Sequence, residues 1–213
     1  MPNWATNTIE FTATPERLRR VRDAVRTDTS GGEFDFDLLW PMPDELRGSN
    51  SLMKVLPDLS ALTEFASANH YEVDSVAGTA WVVARGERET VAMTSATADR
   101  LIAMHGATNW RDWRRANWGT KWTGRAPEVL LDEPGRLVVR FDTAWTAPNG
   151  LLAHLARQGI ASIGVTIHED GCEVEFLGDE STIAEVFVVE EESVTFGDDS
   201  EDTYTIRQVA LLH

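Results

Sequence analysis

A single cysteine, Cys172, stands in a chain of 213 residues, and its isolation removes two kinds of architecture. One thiol cannot close an internal disulfide or build a cysteine cage for zinc. A chain of this length needs no such staple, because a protein of its size buries about 70% of the surface its unfolded form exposes. No run approaches the roughly 18 consecutive apolar residues that a membrane span requires. The opening Met1-Pro2-Asn3-Trp4-Ala5 has neither the basic nor the apolar region of a secretory signal. The expected compartment is the cytoplasm, where an unpaired thiol is the norm, and no membrane partner is expected.

Catalytic signatures are missing as well. The five histidines, His70, His105, His154, His168 and His213, are scattered, with no HExxH or Cys/His ligand spacing, and there is no Walker loop, dinucleotide fingerprint or nucleophile elbow. Thr29-Ser30-Gly31-Gly32 lacks the lysine a phosphate loop uses. His168-Glu169-Asp170 reads as a solvated turn, since consecutive strand residues point to opposite faces. Asp35 with Asp37, and Glu173 with Glu175, form same-face carboxylate pairs of the kind strand alternation produces routinely. Cys172 has no cationic neighbour in sequence to lower its pKa. The expectation is no catalytic residue, no metal and no cofactor.

Lysine is nearly absent: Lys54 and Lys121 stand against 17 arginines. The net charge of −16 is unevenly placed, because 14 acidic residues and no Lys or Arg fall between Glu169 and Asp202. The other 21 acids face 19 bases, near balance. A polyanion-binding surface is ordinarily basic, so nucleic acid is not the favoured partner. An unidentified protein partner is expected instead, basic if the acidic region is the contact. The plainer reading of that region is a solvated face that keeps the protein soluble.

What is present is an alternation of strand and helix periods. Asn7 to Ala13 alternates as a half-buried strand, and Thr14-Pro15-Glu16 starts a helix, with Thr14 at the N-cap and Pro15 at the first helical position. Leu18, Val21, Ala24 and Val25 carry that helix to about Arg26. Phe34 to Trp40 alternates again and predicts a second strand, stopped by Pro41-Met42-Pro43. Helical spacing returns over Asp58 to Ala68 and Thr97 to His105, with strands or a hairpin around Gly86. Beyond them lie a strand at Arg136 to Phe141, a helix at about Leu151 to Arg157 and a strand at Ile160 to Ile167. An Asp170-Gly171 hairpin leads into Cys172 to Leu177, and further strands follow at Ile183 to Val189 and Tyr204 to Leu211. The order β-α-β, insertion, β-α-β predicts one α+β domain over 1–213. It is a ferredoxin-like sandwich of split βαβ units, its antiparallel sheet carrying helices on one face. A helical insertion is expected at about 44–109 and an acidic elaboration with extra strands at about 178–213. Oligomeric state is not readable.

Trp110 to Trp122 holds four of the eight tryptophans in thirteen residues, interleaved with arginines. A helix over Asn109 to Ala116 places Trp110 and Trp113 on one face and Arg111, Arg114 and Arg115 on the other. Gly119 supplies a turn with positive φ. Arg111, Arg114, Arg115, Asn117, Trp118, Lys121 and Trp122 form the candidate binding patch. The competing reading is that these indoles are packing residues, each burying a large apolar area.

Met1-Pro2-Asn3-Trp4, Phe34-Asp35-Phe36 running to Pro41-Met42-Pro43, Trp113 with Asn117-Trp118-Gly119-Thr120-Lys121-Trp122, and Phe141-Asp142-Thr143-Ala144-Trp145 together resemble the YubB-type ferredoxin-like family of plasmids, phages and other mobile elements. The markers frame the chain from residue 1 to about 178. The resemblance implies a ferredoxin-like fold and carries over no functional residue. Ala5 stands where relatives often have Cys, and Ala147-Pro148 where many have two prolines. Within this frame Asp142 ends a strand and Lys121 lies in a turn, so an ion pair between them is expected to pin turn to sheet. The expected function is a non-enzymatic interaction protein of a mobile genetic element. Its competitors are a single-stranded nucleic-acid binder using 110–122 and an enzyme with a dispersed site.

Overall fold

The computed structural model describes residues 3–26, 32–84, 86–168, 174–177, 187–195 and 203–211. The chain is mixed α+β. It opens with β1 (Trp4–Thr12), α1 (Pro15–Ala24), β2 (Val25–Arg26) and β3 (Glu33–Phe34). Next come β4 (Ser49–Leu56), α2 (Leu59–Ala68), β5 (Glu72–Asp74), β6 (Thr79–Ala84), β7 (Glu87–Thr94), α3 (Ser95–His105) and α4 (Trp110–Asn117). It closes with β8 (Gly124–Glu133), β9 (Arg136–Ala144), α5 (Asn149–Arg157), β10 (Ala161–His168), β11 (Val174–Leu177), β12 (Phe187–Thr195) and β13 (Thr203–Leu211). No helix among the described residues is long and apolar enough to cross a membrane.

Two compact units result, one from Met1–Trp40 with Trp118–His213 and one from Pro41–Asn117. In the first unit seven strands run in the order β11-β10-β1-β9-β8-β3-β2. β1 lies antiparallel to both β9 and β10, and β8 antiparallel to β9. The connection from β1 to β8 carries α1, that from β9 to β10 carries α5, and each spans one intervening strand. Arg20 Nη1 donates to Gln158 Oε1 at 2.8 Å, so the two helices lie side by side on one face of the sheet. β12 and β13 form a separate antiparallel pair, from Phe187 opposite Leu211 to Thr195 opposite Thr203.

Period-two alternation decides which side of each strand is core. Ala5, Asn7, Ile9 and Phe11 are all fully buried toward the helices, opposite Leu137, Val139, Phe141 and Thr143 of β9. Leu18, Val21 and Ala24 of α1 and Leu151 and Leu155 of α5 supply the facing layer. An aromatic cluster fills it: Phe34 meets Phe141 edge-to-face at 4.9 Å, and Phe36 meets Trp118 likewise at 5.7 Å, the arrangement that ring quadrupoles favour. Gly124 makes room for these rings. A Cβ there would come 2.8 Å from Phe34 Cβ and 2.9 Å from Phe141 Cδ2.

The chain leaves the first unit at Trp40 and returns at Trp118, and these two residues touch: Trp118 Nε1 donates to the Trp40 carbonyl at 3.0 Å. Exit and return are therefore adjacent, the geometry that lets a long segment interrupt a domain. The second unit is a four-stranded mixed sheet, β4-β7-β6-β5, with β4 parallel to β7. Leu62 and Ala66 of α2 pack on Ala80 and Ala92. The Asp58 carboxylate caps α2 by accepting from Ala61 N at 2.9 Å, and Gly106 ends α3 at φ +75°.

Several expectations are corrected. The expected strand from Phe34 to Trp40 stops at its first residue, Phe34, which ends β3. The Asp35 carboxylate accepts from Asp37 N at 3.0 Å and starts a 3-10 turn over Phe36–Leu38, so Phe36 and Leu39 are buried while Leu38 is exposed. Asp35 and Asp37 therefore form no strand-face pair. Pro41–Asn117 is as much sheet as helix, since β4 was not expected and the strands around Gly86 are part of a four-stranded sheet. β8 is a further unexpected strand. Helix α1 ends at Ala24, and Thr14 occupies its N-cap with no side-chain capping bond. The Asp170-Gly171 turn, Cys172, Glu173 and Ile183 lie outside the described residues.

Candidate functional site

The sequence-predicted patch divides between the units. Arg111, Arg114, Arg115 and Asn117 lie on or at the end of α4 in the second unit, which begins where Asn109 Oδ1 accepts from Asp112 N at 3.0 Å. Arg114 does not oppose Trp110. One helical turn later it sits on the same face, its guanidinium 5.4 Å from the ring centroid, as i,i+4 spacing requires. Trp113 is buried, Arg115 is exposed and Arg111 half-buried. The Asn117 side chain donates to the Trp113 carbonyl at 2.9 Å. Trp118 opens the return into the first unit and is fully buried, so it offers no ring to a ligand.

Lys121 and Trp122 belong to a different grouping. β1 and β8 begin, and β9 ends, at one end of the first unit's sheet, because Trp4 pairs with Ala144 and Arg125 with Asp142. On the face turned away from the helices, this register sets Trp4, Thr6, Asp142 and Arg125 together. Lys121 Nζ lies 3.8 Å from the Trp122 ring centroid. The Trp122 and Trp4 rings are 6.0 Å apart and tilted by 33°. The Arg125 guanidinium lies 4.9 Å from the Trp4 ring. The result is a row of cation, indole, indole, cation, with Arg125 exposed and the other three half-buried. Each cation–ring contact is worth about 0.5–2 kcal/mol, depending on how far it is desolvated. The chain's only other lysine, Lys54, also covers an aromatic ring, Phe65, at 4.5 Å.

A third indole stands at the same end of the sheet. Trp145, one residue past Ala144, is 50% exposed and holds a backbone φ of +75°. A bulky residue in that region costs about 1–3 kcal/mol and persists only where its surroundings impose it. The imposing bonds are visible. Trp145 N donates to the Asn3 carbonyl at 2.9 Å, Thr143 Oγ1 to the Thr146 carbonyl at 2.7 Å, and Thr146 Oγ1 to the Gly119 carbonyl at 2.7 Å. Gly119 itself takes φ +91°, and Thr120 Oγ1 reaches the Ala144 carbonyl at 3.0 Å. The turn before Lys121 is thus tied to the turn that holds Trp145 out. A second backbone oddity flanks the other cation: Ala126, next to Arg125, has φ +47° where the β8–β9 register breaks, as a bulge that re-aims its neighbours does.

The expected Lys121–Asp142 ion pair is not among those of the described residues. Asp142 accepts instead from Thr6 Oγ1 at 2.8 Å, and Lys121 turns to the Trp122 ring. Toward the opposite end, the same sheet face carries the Arg136–Glu10 pair, bonded through two nitrogens at 3.1 and 2.9 Å, which holds the Arg136 pKa above its usual value. Thr8, Glu10, Val138 and Val165 of this face are buried, while Arg136, Arg140 and Glu128 keep exposed side chains that are engaged in ion pairs. Trp4, Arg125 and Trp145 were not placed in the patch by sequence reasoning. Trp4 and Trp145 stood among the family markers, whereas nothing local signals Arg125. Among the described residues no group of three or more His, Cys, Asp or Glu side chains could hold a metal ion.

The chain matches no protein-family model, no curated protein and no solved structure.

Proposed function

We propose that this chain is a non-enzymatic interaction protein of the YubB type, cytoplasmic and carried by a mobile genetic element, that holds a macromolecular partner at the Trp4 end of its sheet. The ferredoxin-like reading is supported by the strand order β10-β1-β9-β8 with α1 and α5 as its two crossings. In that fold two split βαβ units interleave, each helix crossing over one strand of the other unit.

One observation carries the functional reading: a half-exposed tryptophan held at positive φ, its turn tied by hydrogen bonds to the turn before Lys121, at the sheet end where two cations rest on two further indoles. Exposed indoles and arginines are the side chains that dominate binding surfaces. A fold that needed only packing would bury Trp145 in a relaxed backbone. The cations are positioned before a ligand arrives, which lowers the ordering cost of binding.

The test is affinity capture from the native host with mass spectrometry, run in parallel with wild type, Trp145→Ala and Lys121→Glu. A macromolecule held by wild type and lost from both variants is the expected result. A capture profile identical in all three would overturn the reading.

A further inference from the structure

We propose that the ligand of this cluster is single-stranded nucleic acid; the inference rests on the preceding reading of the Trp4 end as the contact surface and adds the chemistry of what it contacts. A single strand alternates a flat apolar ring with an anionic group. The cluster presents the complement of both within one unit. Lys121 and Arg125 are the phosphate-facing charges, placed at the two ends of the Trp122–Trp4 pair. Trp145, half exposed, is the open ring on which a base stacks. Single-strand binders combine these two elements, and stacking tolerates any base because every base has a π-face.

The alternatives use less of what is there. An acidic peptide would engage Lys121 and Arg125 and leave the strained, outward Trp145 with no role. A duplex hides its base faces inside the stack and is read through groove edges and a broad basic surface. Here two cations rest on rings, and the arginines of the sheet face beyond them are paired with carboxylates, Arg136 with Glu10 and Arg140 with Glu128, with Asp142 alongside. The net charge of −16 opposes a long polyanion, so the site takes a short stretch and the salt dependence is shallow. Two phosphates neutralised on a single strand give a slope of log K against log salt of about −1.4, at about −0.7 each.

The experiment is fluorescence anisotropy of a labelled oligothymidylate, about fifteen nucleotides long to match the range of single-strand site sizes, titrated with the full chain across a salt series. Matched arms use the same sequence as a duplex and a labelled polyglutamate. Wild type is expected to bind the single strand with that slope, and Lys121→Met to halve it. Trp145→Ala is expected to weaken binding on the order of 10- to 100-fold, the loss of one stacked base, and Trp145→Phe to restore most of it. Circular dichroism on each variant separates lost binding from lost folding. Three results overturn the proposal: no binding of the single strand, binding unaffected by Trp145→Ala and Lys121→Met, or equal affinity for the duplex. Polyglutamate bound in a Lys121- and Trp145-dependent way, with no nucleic acid bound, would replace the ligand with an acidic protein and leave the contact surface standing. Loss of the surface itself is read separately, from the capture comparison.

Discussion

Trp40 lies flat on His154, ring centroids 4.0 Å apart and planes within 10° of parallel. Trp40 is also the residue whose carbonyl accepts the Trp118 indole, so the stack braces the point at which the chain leaves and re-enters the first unit. Gln158 Nε2 lies 2.6 Å from His154 Nε2. Burial, then the charges of Arg157 and Arg20, hold the His154 pKa below its usual value of 6.5.

A pH dependence follows with a definite sign. The ring gains a proton more readily in the unfolded chain than in the folded one, so the unfolded state binds more protons as pH falls through the region of 6.5. The stability contributed by neutral His154 is complete above about pH 6.5 and declines below it, toward the lower folded pKa. Urea midpoints measured from pH 8 to pH 5.5 should fall on acidification in wild type and fall less in His154→Phe, which keeps the stack without the proton. Equal slopes in the two proteins would show that His154 titrates no differently in the fold than out of it.

Asn7 predicts a different kind of loss. It is fully buried on the core face of β1, where its amide donates to Thr143 Oγ1 at 2.8 Å and to the Phe141 carbonyl at 3.1 Å, while its carbonyl accepts from Thr166 Oγ1 at 2.9 Å. Three strands are joined by one satisfied polar network in an otherwise apolar layer. Asn7→Leu orphans the buried Thr166 hydroxyl, and such a group costs about 1–3 kcal/mol. The expected destabilisation is about 2–3 kcal/mol by urea denaturation. Adding Thr166→Val should recover part of it, because removing both partners leaves nothing unsatisfied. A double variant no more stable than Asn7→Leu alone would contradict this account.

How much of this was legible depends on whether the signal is local. Pro15 at a first helical position, Asp58 as a cap and Gly106 as a helix stop act within a few residues, and each stands where its spacing puts it. β8 hid because Pro127 and the Ala126 bulge break its alternation, and Pro is tolerated in a strand at such a bulge. β4, Ser-Asn-Ser-Leu-Met-Lys-Val-Leu, has no clean period two. Phe34 to Trp40 had the period and lost the strand, because a side-chain carboxylate captured the backbone first. The cluster itself is a product of register. Trp4 and Arg125 are distant in sequence and meet only because both flank the Ala144 end of β9, which no single stretch of residues specifies.

Lys121 and Asp142 make the sharpest case of a local argument outrun by geometry. A turn cation and a strand-end carboxylate suggested an ion pair, and breaking a partly buried one from one side costs about 3–5 kcal/mol. Asp142 instead spends its oxygen on the Thr6 hydroxyl across the β1–β9 ladder, while Lys121 lies on the Trp122 ring. Two residues with separate partners should behave independently. In a double-mutant cycle, Lys121→Met and Asp142→Asn are expected to add to within about 0.5 kcal/mol. Each single change should also stay well below the cost of a broken buried pair: Lys121→Met loses one cation–ring contact, and Asp142→Asn keeps an oxygen for Thr6. A coupling above about 1 kcal/mol, or a loss of several kcal/mol from either change alone, would mean that the two charges meet in solution. The cation would then no longer be held on the indole, and the row of cation, ring, ring, cation on which ligand recognition depends would not be the ground state of the protein.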